Sequence, residues 1–228
     1  MTGIDPDEMV RRLAAESLAS DDPTGWFERL YAAAEAGAAI VPWDRGAPHQ
    51  LLVQWAHGRG LDGDGRTALV VGCGLGDDAE YVSGFGFDTV AFDVSATAVG
   101  TARRRFPESR VRYLTADLLD PPDRWRKAFD LVVEIMTVQA LPHSARQKAI
   151  VGVGELVAPG GTLVVIAVAR EAEDDPVEGP PWPLTRAEIE AFVTEDLRPV
   201  RIDEVRDTQR QAVRRWLAEF HRGRSGPS

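Results

Sequence analysis

One stretch constrains this chain more than any other: Ala68-Leu69-Val70-Val71-Gly72-Cys73-Gly74-Leu75-Gly76-Asp77-Asp78. Continuous apolar sequence is what a β-strand buried on both faces requires. Glycines placed directly after it let the backbone turn sharply and approach a ligand with no Cβ in the way. In an open α/β sheet such a loop lies at the carboxyl end of a strand, where ligands bind. A plain tight turn would not need three spaced glycines.

The rest of the chain repeats the strand signal. Short apolar runs at 67–71, 89–92, 129–135 and 162–168, with a shorter one at 111–114, alternate with stretches at 77–86, 95–105 and 143–157 that read as helices. Strand and helix in alternation predict a doubly wound α/β sheet, mostly parallel. Ahead of it, 1–60 reads as a helical cap, with Asp5 as N-cap and Pro6 at the first helical position of its first helix. The Pro- and Gly-broken segment VPWDRGAPHQ interrupts this cap as a loop. After 169 the alternation stops. Residues 170–194 pass from an acidic, Pro-rich stretch into a short helix opened by Thr185 and Glu188, three apart as in a capping box. The closely spaced runs PVRIDEVR and AVRRWLAEF, within 199–220, predict an antiparallel strand pair at a sheet edge. One domain spanning 1–228, with its core at 67–168, accounts for the pattern.

Composition excludes several classes of function. The net charge of −10 is wrong for a nucleic-acid face or an anionic membrane surface. A single cysteine, Cys73, excludes an intrachain disulfide framework and a Cys-based zinc cluster, and no metal site is expected. No apolar run is long enough to span a bilayer and the N-terminus lacks signal-peptide order, so a cytoplasmic location is expected. Nothing in the sequence separates monomer from homodimer.

The loop also discriminates between ligands. A dinucleotide fingerprint, G-x-G-x-x-G/A, rests a pyrophosphate on the helix N-terminus. Here the third glycine position is Asp77, followed by Asp78, and two carboxylates facing a pyrophosphate oppose binding. A cationic or zwitterionic ligand without phosphate suits the loop better, and S-adenosylmethionine (SAM) is such a ligand. An NAD-linked oxidoreductase is the alternative of another class, and a non-catalytic SAM-binding regulator a third.

Over 67–168 the chain resembles the class I SAM-dependent methyltransferases. The resemblance implies a seven-stranded Rossmann-like sheet with SAM as cofactor. It places Gly72, Cys73, Gly74 and Gly76 against the cofactor and Asp93, followed by Val94, on its ribose. It likewise places Asp117, followed by Leu118, on its adenine. Glu134, ending the fourth strand, would face the methyl-transfer site beside the methionyl group or act as a catalytic base, with Gln139 nearby on the substrate side. His143 reads as a helix cap or surface residue. One departure is Val70, where most members carry an acid; Asp78 would supply the compensating carboxylate.

PWDRG at 42–46, preceded by Trp26, Phe27 and Tyr31, and GPPWPLTRAEIEAF at 179–192 are similar to segments of thiopurine S-methyltransferase-like and related small-thiol or halide methyltransferases. That likeness implies Trp43 and Trp182 as walls around donor and acceptor, aromatic faces being favourable neighbours of a sulfonium. The expected reaction is methyl transfer to a small molecule, most naturally a thiol, with O- or N-methylation of a small natural product as the alternative.

Overall fold

The computed structural model describes residues 5–172, 179–206 and 213–224. Three helices come first: α1 (Pro6–Ala19), α2 (Gly25–Glu35) and α3 (Gln50–Arg59). Asp5 caps α1 through its side chain, accepting from Asp7 N–H, and Pro6 occupies the first turn. The alternating region follows as β1 (Thr67–Val71), α4 (Asp77–Ser83), β2 (Asp88–Asp93), α5 (Ala96–Arg105), β3 (Arg112–Thr115), β4 (Phe129–Ile135), α6 (His143–Leu156) and β5 (Val157–Val168). The chain closes with α7 (Arg186–Glu190), β6 (Leu197–Arg206) and β7 (Arg214–Arg222).

The seven strands form one sheet in the order β3-β2-β1-β4-β5-β7-β6. Strands β1 to β5 pair in parallel, while β7 runs antiparallel to both β5 and β6. The order reverses between β1 and β4, which makes the crevice beyond their carboxyl ends the place where such a sheet binds ligands. Alternate residues of β1 serve opposite faces. Leu69 and Val71 pack into a core with Ile150 and Val153 of α6; Ala68 and Val70 pack into a second with Trp55, Ala79 and Val99. This two-sided burial explains why the strands read as continuous apolar runs.

Boundaries differ from expectation by a few residues, most of all at β5, which was expected at 162–168, and at α7. Strand β5 starts at Val157, ending α6 one residue early. The helix after Thr185 spans only five residues, although its capping box is formed in full. Of the acidic, Pro-rich stretch, 173–178 lies outside the described residues, as does Ala212 of the last run. No described helix is long and apolar enough to cross a membrane.

The N-terminal helices are tied to this sheet by buried polar groups. Trp55 Nε1 donates to Glu219 Oε2 at 2.9 Å, and Arg59 of α3 donates to the same oxygen at 2.7 and 3.0 Å. Glu219→Ala leaves the Trp55 N–H without its acceptor in a buried setting and is expected to cost about 1–3 kcal/mol, with Glu219→Gln costing less. Urea unfolding of the two variants checks the order.

Candidate functional site

A cavity of about 360 Å3 opens at the carboxyl ends of the parallel strands. Its wall begins at the first loop. Gly72 and Gly74 have φ of +57° and +52°, a left-handed backbone that side-chain-bearing residues adopt at a cost. A Cβ on Gly74 would lie 3.0 Å from the Tyr31 hydroxyl, and one on Gly72 would meet Thr137. Both glycines are therefore required twice over, by conformation and by neighbours.

The carboxylate of Asp93, at the end of β2, holds this loop in place. Its Oδ2 accepts from Gly74 N–H and its Oδ1 from Ser95 N–H, both at 2.9 Å. Burial pushes the Asp93 carboxyl up to about 6, against the lowering by those two N–H groups. Ser95 caps α5, and Glu28 of α2 reaches the same helix end, accepting from Ser95 Oγ at 2.6 Å and Thr97 N–H at 3.1 Å. Burial alone would raise Glu28, but these hydrogen bonds outweigh it and the carboxyl lies below its ordinary value.

Asp78 occupies the first turn of α4 and accepts from His49 N–H at 2.7 Å, fastening the start of α3 to the loop. Burial raises it to about 6, with His49 N–H and the Arg45 charge acting the other way. Val70, where an acid was looked for, is buried in the core. Trp43 lies above the loop. Its Nε1 donates to the Tyr31 hydroxyl at 2.8 Å, and its ring meets Trp26 and Tyr31 edge to face.

Trp43, Gly72, Cys73, Gly74, Gly76, Asp78, Asp93, Val94, Asp117, Leu118 and Gln139 all line the cavity. Two residues are placed elsewhere. Glu134 is fully buried and off the cavity wall, its Oε1 accepting from Thr137 N–H at 2.7 Å and Val138 N–H at 2.9 Å. It anchors the turn after β4, and the wall is made by the residues of that turn. Trp182 is half-buried and also off the wall; its backbone N–H donates to Gln139 O, and Pro180 and Pro181 line the cavity in its stead. Gln139 itself has Oε1 committed to Val168 N–H at 2.6 Å. His143 begins α6 beside Arg146 and Glu188, away from the cavity.

Sequence reasoning missed Met136, His49 and Arg215. Met136 has φ +60°, a strained conformation for a side-chain-bearing residue, and lines the cavity with its Sδ 3.3 Å from Arg215 Nη1. Arg215, on β7, is buried. Arg215 carries no local signal, since β7 reaches the cavity through its antiparallel pairing with β5. Among the described residues no cluster of His, Cys, Asp or Glu is gathered as a metal site.

The Glu134 placement generates a stability prediction. Burial raises its carboxyl to about 7, the N–H bonds from Val138 and Thr137 offsetting only part. The folded chain thus favours the neutral form. The associated stability is present in full below the ordinary value of 4.5 and is lost as pH rises through about 7. Glu134→Gln keeps the acceptor oxygen and removes the charge. Its melting temperature relative to the parent should rise between about pH 5 and about pH 8, by the equivalent of up to about 3 kcal/mol. A gap that stays constant with pH would contradict this.

Residues 68–161 match the family model of a methyltransferase domain. The chain is 29% identical over 179 residues to a protein of Arabidopsis thaliana described as probable thiol methyltransferase 2, covering 76% of this chain and 73% of the relative. Among solved structures it is similar to one from work on conversion of a disulfide bond into a thioacetal group during echinomycin biosynthesis. That match has a TM-score of 0.68 and 20% identity, and covers 88% of this chain and 94% of the other. It is similar too to the N-methyltransferase NodS from Bradyrhizobium japonicum WM9 in complex with S-adenosylhomocysteine (SAH), with a TM-score of 0.63 and 22% identity, covering 86% and 98%. Residues 68–161 thus carry a methyltransferase domain, and the domain match, the strand order and the glycine loop agree in supporting a class I SAM-dependent methyltransferase.

Proposed function

We propose that this enzyme methylates a small thiol, by presenting a thiolate in line with the methyl group of SAM. The observation that carries the reading is the composition of the acceptor half of the cavity. The candidate base Glu134 is off the wall, and Gln139 is committed to the backbone of β5. Beside β4, β5 and β7 the wall is made by Ile135, Met136, Thr137, Val168, Pro180, Pro181 and Arg215, and α1 adds Asp7 and Arg11. Such a surface can hold and align a nucleophile but has little to deprotonate one. A thiol, with an ordinary pKa near ~8.5, is already partly ionised at neutral pH and needs no strong base. The likeness to a probable thiol methyltransferase supports the same acceptor.

The residues present fit the cofactor. Gly72 and Gly74 expose backbone where a Cβ would intrude, and Asp93 and Asp117 bring acceptor oxygens to the ends of β2 and β3. We assign Asp93 with Val94 to the ribose, Asp117 with Leu118 to the adenine, and Gly72, Cys73, Gly74, Gly76 and Asp78 to the methionyl end under Trp43. When bound, SAM supplies a methyl carbon activated by positive sulfur. The chain's own contribution is to hold the nucleophile close behind that carbon and to keep water out, which is where most of the rate can come from. Arg215 gives the acceptor half a buried cation, which favours an ionised sulfur or an anionic substituent beside it.

Asp93→Ala removes a carboxylate that serves loop and ligand together, and SAH affinity by calorimetry should fall at least about tenfold. Affinity equal to the parent's would take Asp93 out of the cofactor site. For the acceptor, a panel of small thiols, phenols and amines tests the reading. Thiol turnover should dominate and its rate should climb with pH toward the thiol's own pKa, because thiolate is selected rather than made. Robust methylation of a phenol or amine with no thiol turnover would replace the acceptor and leave the methyltransferase assignment intact.

A further inference from the structure

Helix α5 ends in three consecutive arginines, and each holds a different element. Arg103 donates to the Tyr113 carbonyl of β3, and Arg104 pairs with Glu35 of α2. Arg105 reaches toward the cavity rim. Its Nη1 and Nη2 donate to Asp44 Oδ1 at 3.1 and 3.2 Å and Nη2 to Asp44 Oδ2 at 3.3 Å, while Nη1 also donates to Asp77 Oδ2 at 3.1 Å. Asp44 follows Trp43 directly, and Asp77 opens α4 directly after the glycine loop; both line the cavity, whereas Arg105 does not.

We propose that Arg105 is a positioning residue that latches the Trp43 loop shut over the SAM pocket. Segment 42–49 is held at three points: Trp43 on Tyr31, Asp44 on Arg105, and His49 N–H on Asp78. The middle hold differs from the others because it joins two carboxylates of like charge. Burial raises the carboxyl of Asp77 most; Arg105 then lowers it and Asp44 raises it, so the two acids oppose each other across the gap that the guanidinium fills. Remove the guanidinium and the same two acids push the loop away from α4. Arginine suits the task, since a planar fork can grip one carboxylate with both Nη atoms and reach a second. Burial matters as well: the side chains of Arg105, Asp44 and Asp77 are 32%, 31% and 19% exposed, so solvent screens this cluster less than a surface pair. Neighbouring charges do not replace it, because Arg45 on the same loop acts on Asp78 and Arg104 pairs with Glu35.

The latch rests on the cavity being the SAM site, and its test separates the two. SAH dissociation is followed by stopped-flow fluorescence in the parent, Arg105→Met, Arg105→Lys and the double variant Arg105→Met with Asp77→Asn. Arg105→Met should release SAH about tenfold faster. Its ligand-free melting temperature should change little, as expected for a partly exposed pair. Arg105→Lys should recover part of the loss, and the double variant should recover part of it by removing the repulsion. Raising ionic strength from about 0.01 to about 1 M, which shortens the Debye length from about 30 to about 3 Å, should speed release in the parent more than in Arg105→Met. Parent-like release from Arg105→Met, no rescue in either second variant, or equal salt slopes would overturn the latch alone. Failure of the parent to bind SAH would overturn the site and the latch together.

Discussion

The buried carboxylate of Asp93 is the constraint on which the site depends. Each of its oxygens receives a backbone N–H, one from the glycine loop after β1 and one from the start of α5. Two separate strand-to-helix junctions are thereby fixed relative to each other by one side chain. Such a bond to an ionised acceptor is stronger than a neutral one, yet the cost of burying the carboxylate outweighs it and leaves the carboxyl raised. The left-handed Gly74 follows from it, because that conformation turns the Gly74 N–H toward β2 while leaving space for Tyr31 above.

From this junction the N-terminal helices are organised around α5. Glu28 binds its first turn and Glu35 its last through Arg104, so α2 is fastened at both ends of the same helix. Trp26 and Leu30 of α2 then form a small core with Val10 and Ala14 of α1, against which Trp43 and Ala140 pack. The cap is thus bolted to α5 by polar contacts and reaches the turn carrying Ala140 by apolar ones.

The fold was legible because its signals are local. Two-sided burial writes β1, β2, β4 and β5 as apolar runs, the Thr185–Glu188 spacing writes a cap, and glycines mark the loop. The place of Asp93 and Asp117 on the cavity wall was legible for the same reason: Asp93 ends β2 and Asp117 follows β3 by two residues, where chain direction determines which end they occupy. Legibility failed where a side chain's direction depends on distant partners. Glu134 ends a strand as a site residue would, yet the turn at Thr137 and Val138 draws it inward. Trp182 looked like a wall, but its segment is fixed by a backbone bond to Gln139, and the two preceding prolines face the cavity. Arg105 stands 61 residues from Asp44, so nothing local in the sequence points to their pairing.

Cys73 lies between the first two glycines, buried, on the wall of the cavity. Burial, and after it the charge of Asp93, pushes the thiol well above its ordinary value. At neutral pH almost none of it is thiolate, which is the species that attacks disulfides and is oxidised to sulfenic acid. Burial first, and the carboxylate that shapes the loop second, hold the chain's single cysteine in its thiol form.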